Sequence, residues 1–194
     1  MESSSAFRRA FHIASPIFLA YYLLPEDLGG GISRTAATFL FLGTAACIEI
    51  ARIALGVRLF GMRPYEGQRV SAYAQGALGL AFGLFVIQDL RIVGPVFLGM
   101  AWIDPLAAFC RSRGWSRVVP TVGYFALFLG TVLLMKAFSL SNALLFSTAA
   151  CAAAMLMEGP KIPQVDDDLL MQVVPMVVMY YLIAGFGTGL PMSL

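Results

Sequence analysis

Charge is what this sequence has least of. Asp, Glu, Lys and Arg supply 12% of its 194 residues, about half the share found in an ordinary soluble domain. Hydrophobic residues supply 59% and the mean hydropathy is +0.81. A soluble chain of this size has no means of hiding so much apolar surface. The net charge of +2 provides no general field for capturing nucleic acid, so function must rest on where the charges sit. Histidine occurs once, at His12. The three cysteines, Cys47, Cys110 and Cys151, lie in apolar runs without metal-ligand spacing and read as reduced packing residues. No Gly-x-x-x-x-Gly-Lys-Ser/Thr run is present, which excludes a P-loop.

What is there in abundance is apolar run. Seven stretches, 11–24, 35–53, 70–87, 92–109, 118–138, 140–157 and 169–190, approach or reach the roughly 20 helical residues that cross a hydrocarbon core. Pro25, Gly29 to Gly31, Gly61 to Pro64, Gly114 and Gly159-Pro160 punctuate them. The sequence therefore predicts an all-α, polytopic membrane bundle of about seven helices, with 1–194 as one transmembrane domain. Arg8-Arg9 before the first run looks like the start of a secretory signal, but no small-residue cleavage site follows, so a retained helix is expected. Cytoplasmic loops hold the excess of Lys and Arg. An N-in, C-out arrangement leaves only Arg34, Arg91 and Lys136 outside, with Lys161 and the other arginines within. Most acidic residues sort to the same face.

Ionisable groups at membrane depth are costly and usually pair, line a wet cavity or bind something. Glu49 and Arg52 are spaced i,i+3 near the end of the second run and read either as a packing salt bridge or as part of a polar pocket. Arg9 with His12, and Glu66 with Arg69, repeat that spacing. Asp104 sits inside the fourth run beside Pro105, where a broken helix and a freed carbonyl would make an ion or phosphate environment. Asp166-Asp167-Asp168 precedes the seventh run. Acids there cap a helix, yet three in succession repel one another, and Mg²⁺ with its oxygen ligands would relieve the repulsion. Both readings stand at this stage.

These pieces, in order, resemble the dolichol kinase, phytol kinase and CTP-dependent polyprenol kinase family. The resemblance spans most of the chain and rests on Arg9-Ala10-Phe11-His12, Glu49 with Arg52, Glu66 to Gly76, Asp104-Pro105-Leu106-Ala107-Ala108, and Glu158 followed by Asp166-Asp167-Asp168-Leu169. Two departures are visible. The family's Lys-Ser-x-Glu-Gly-Ser segment is replaced by Arg117 to Gly123, with Arg117 in place of the lysine's charge, and its Asp-Asp-Asn reads Asp-Asp-Asp, with Asp168 where the family has Asn.

The resemblance implies an integral membrane enzyme, its site facing the cytoplasm, that transfers a phosphoryl group from CTP or another nucleoside triphosphate to a lipid alcohol such as a polyprenol, dolichol or phytol. It implies Mg²⁺ held by Asp104, Asp166 and Asp167, with Asp104, Asp167 and Glu158 catalytic. Arg9, His12, Arg52, Arg69 and Arg117 then surround the phosphates, and Glu49 and Glu66 build the pocket. The alternatives are a cytidylyl- or CDP-alcohol phosphotransferase, whose Asp-x-x-Asp-Gly-x-x-Ala-Arg arrangement is absent, and a small transporter, which predicts half-chain repeats that are not evident.

Overall fold

The structure, a computed structural model, describes residues 2–158, 162 and 164–186. Gly159-Pro160, Lys161 and the 187–190 end of the last predicted run lie outside the described residues. Among those described there are seven α-helices and no strand: α1 (Glu2–Ala14), α2 (Arg34–Ala54), α3 (Ala72–Phe82), α4 (Leu90–Ser112), α5 (Val118–Leu134), α6 (Leu140–Met157) and α7 (Asp167–Gly185). Four of them, α2, α4, α6 and α7, are long and apolar enough to cross a membrane.

Local chemistry sets the boundaries. Ser33, Ser71 and Ser139 cap α2, α3 and α6 by accepting from Ala36, Ala74 and Asn142 amides. The first apolar run is divided: α1 gives way at Pro16 to a 3₁₀ helix, Ser15–Tyr22. Proline has no N–H to return to the carbonyl four residues back, that of His12, and the Ser15 hydroxyl donates to this carbonyl at 2.7 Å. At the other end of α3 a π-helical turn, Gly83–Ile87, closes on Gln88 at φ +59°. The fifth run stops short of its predicted end at 138. Lys136 takes φ +50°, and the Lys136 and Ala137 amides turn back to Leu133 and Val132 carbonyls in a Schellman closure. The fourth run corrects an expectation: α4 is continuous through Pro95 and Pro105. Its buried neighbours Ala101, Ile103 and Ala107 hold the turn together by packing although the proline donor is missing.

The core lies among α4 to α7, where Ile92, Val96, Tyr124, Phe128, Phe146 and Met176 are buried together. Close approach depends on Gly99. A Cβ there would stand 2.4 Å from the Tyr124 ring, which is fully buried and has no room to retreat. Gly99→Ala is accordingly expected to destabilise the α4–α5 pair by about 1–3 kcal/mol, read as a lower thermal midpoint in detergent. An unchanged midpoint would mean that the two helices separate at no cost.

α2 inverts the usual pattern. Its only buried residues are Glu49 and Arg52, whereas Phe39, Leu40, Ile48 and Ile50 are exposed. A helix that hides its charges and shows its apolar side chains suits a hydrocarbon surrounding rather than water.

Candidate functional site

The charged ends of the helices gather at one end of the bundle, starting from the Glu49–Arg52 pair. Arg52 donates from Nε to Glu49 Oε2 at 2.9 Å and from Nη2 to Glu49 Oε1 at 2.7 Å, the bidentate fork geometry that arginine favours. Its remaining donors reach the carbonyls of Glu66 at 3.0 Å and Arg69 at 2.6 Å. Glu49 Oε1 also accepts from the Ser71 amide at 2.6 Å. One ion pair thus fixes the 66–71 segment and the start of α3. Glu66 itself is buried.

That segment carries Arg69 toward α7. Arg69 and Arg63 stand 3.6 and 3.7 Å from Asp166 Oδ2. Gln75 of α3 accepts from the Asp166 amide at 2.7 Å and donates to the Gln164 carbonyl at 3.0 Å, so it locks the approach to α7 against α3. Asp166 is the N-cap of α7, accepting from the Asp168 amide. Capping and two arginines therefore occupy this carboxylate.

Asp168 faces elsewhere. Successive helical residues are turned by about 100°, and Asp168 meets α1, where His12 Nε2 lies 3.3 Å from its Oδ2. Trp102 of α4 donates to the Ile13 carbonyl at 3.1 Å, holding α1 against α4. This brings Asp104 in. His12, Asp104 and Asp168 have ligand atoms within 4.8 Å of one another, as do Asp166, Asp167 and Asp168. Asp168 belongs to both groups. The Nδ1 of His12 is buried and has no hydrogen-bond partner. Two oxygens bound at about 2.0–2.1 Å to Mg²⁺ lie at most roughly 4.2 Å apart, so a small contraction would let the carboxylates within either group share such an ion.

The remaining expected residues are placed as follows. Glu158, at the C-cap of α6, is buried and paired with Arg111 of α4. Arg111 stands two turns along α4 from Asp104, on the same face. Arg9 and Arg117 are exposed, and neither makes an ion pair among the described residues. His12 takes Asp168 as its partner, and Asp104 is grouped with Asp168 rather than with Asp166. Sequence reasoning missed Gln75 and Arg111 and undervalued Asp168. An amide inside an apolar run was the available signal for Gln75.

A cavity of about 460 Å³ opens beside this cluster, within the roughly 300–1,000 Å³ typical of ligand pockets. His12, Asp168, Glu49, Ser15, Ser71 and Tyr73 line its polar part, and the rest is apolar, drawn mostly from α2, α3 and α4. No family model, curated protein or solved structure matches this chain.

Proposed function

We propose that this chain is a membrane-embedded phosphotransferase, N-in and C-out with seven spans, that moves the γ-phosphoryl group of a nucleoside triphosphate onto a lipid alcohol. Its resemblance to the polyprenol kinases favours CTP. One observation carries the reading: His12 and Asp168 belong at once to the acid cluster and to the wall of the apolar cavity. A hydroxyl at the end of a hydrocarbon chain meets both environments there.

In this reading His12 Nε2–H donates to Asp168, which leaves Nδ1 as a bare acceptor. His12 takes the proton from the alcohol. The alcohol oxygen forms its bond to the γ-phosphorus as the bond from that phosphorus to the bridging oxygen breaks, and the nucleoside diphosphate leaves with the electron pair. Asp104 and Asp168 would hold Mg²⁺, which supplies charge neutralisation at the phosphates when bound. Arg63 and Arg69, beside Asp166, sit where they can offset phosphate charge. Grouping of His12, Asp166, Asp167 and Asp168 with the Glu49–Arg52 pair toward one end of the bundle argues against a transporter, whose sites lie near the midplane.

The test is the purified chain in sealed vesicles with [γ-³²P]CTP or ATP, Mg²⁺ and a panel of phytol, geranylgeraniol, polyprenol and dioleoylglycerol. Labelled lipid is expected only when nucleotide is on the side from which Arg113→Cys, at an exposed position, is labelled in a chain lacking its native thiols. Absence of labelled lipid with every alcohol would overturn the reading.

A further inference from the structure

α2 is fixed at both ends and loose between them. At one end is the Glu49–Arg52 pair. At the other, Arg34 donates to the Tyr21 and Leu24 carbonyls and pairs with Glu26 at 2.9 Å, while Phe39 stacks on Phe85 with centroids 4.3 Å apart. Between these anchors the cavity separates α2 from its neighbours, and among the apolar residues that line it are four small ones, Ala45 and Ala46 from α2 and Gly76 and Ala77 from α3. Phe18 and Phe41, 5.7 Å apart between centroids, also line it, and Phe41 lies roughly 12 Å along α2 from Glu49.

An empty apolar gap forfeits dispersion on every wall. Inside a bilayer the filler at hand is a hydrocarbon chain, as apolar as the leucines around it. A methylene fills about the space of a water, roughly 30 Å³, so the cavity takes on the order of fifteen chain carbons. That is on the order of one chain. We propose that the gap between α2 and α3 is the seat of the substrate's single hydrocarbon chain, entered sideways from the bilayer past α2, and that Ala45, Ala46, Gly76 and Ala77 set the chain it accepts. The polar end then receives the chain's hydroxyl at His12 and Asp168. The hydroxyl's fate rests on the phosphotransferase reading; the seat of the chain does not.

The test separates the two. The full chain in lipid nanodiscs is irradiated with hexadecanol that carries a mid-chain diazirine, and adducts are mapped by peptide mass spectrometry. Adducts are expected on the α2 and α3 peptides that flank the gap. Geranylgeraniol should compete them away, and equimolar dioleoylglycerol should not. Ala45→Phe and Ala77→Phe should each cut this labelling at least tenfold, and Leu40→Phe on the outward face of α2 should leave it unchanged. Should Ala77→Phe fail to give a folded, monodisperse protein, Ala45→Phe, on the more exposed helix, decides. Labelling spread over all lipid-facing helices, uncompeted, or unchanged in Ala45→Phe overturns the proposed seat. Competed labelling in a protein that phosphorylates no alcohol keeps the seat and removes the reaction. Turnover with uncompeted labelling does the reverse.

Discussion

Asp168→Asn is expected to reduce lipid phosphorylation by roughly 10²–10⁴-fold, the range for loss of general acid–base action, while membrane insertion and thermal midpoint stay near those of the parent. The amide keeps the size of the side chain but removes the charge that steadies a protonated His12, and by turning its NH₂ toward Nε2 it favours the wrong tautomer. His12→Gln should fall by a similar factor. The double variant should be little worse than either single one, because the two residues act as a unit. Asp166→Asn serves as the contrast: it caps α7, and Asn is about as good a cap as Asp. Radiolabel transfer under saturating nucleotide measures all four. The resemblance to the polyprenol kinases, with Asn at this place, predicts that Asp168 tolerates the change, whereas the proposed role beside His12 predicts that it does not. Parental turnover in Asp168→Asn would remove the His12–Asp168 unit from the mechanism.

The second large effect is structural. Glu49→Ala leaves the Arg52 side chain, 2% exposed, without its counter-ion, a change that costs about 3–5 kcal/mol when a buried pair is broken from one side. It also releases the Ser71 amide. Glu49→Ala combined with Arg52→Ala should be less harmful than Glu49→Ala alone, since no buried charge remains. A double-mutant cycle on thermal midpoints measures the coupling. Simple additivity would show that the two side chains act independently and that α2 is held by its other contacts.

Periodicity and punctuation were enough to place most helices. The sixth run, 140–157, is the helix Leu140–Met157, because an apolar stretch preceded by a serine cap has few ways to begin or end. What proline does was less legible. Pro16 ends α1 while Pro105 leaves α4 intact, since the outcome depends on whether tertiary neighbours hold the turn. In the site, Glu49–Arg52 was readable because i,i+3 spacing puts both on one helix face. His12 with Asp168 was not, because no spacing relates the first helix to the seventh. Nor does a run of three aspartates reveal its own phase: Asp166 turns to Arg63 and Arg69 and Asp168 to His12 only once α7 is docked on α3. Gln75, which fixes that docking, signals its presence in sequence but not its partner.

The pairing of α1 with α7 also governs when the site comes into being. A ribosome delivers His12 first, Asp104 next and Asp168 last, so the three groups first meet after α7 has been synthesised and docked. A nascent or incompletely inserted chain carries the imidazole without its carboxylate and the apolar gap without its polar end. Assembly of the cluster is thereby tied to the docking of α7 against α1 and α4.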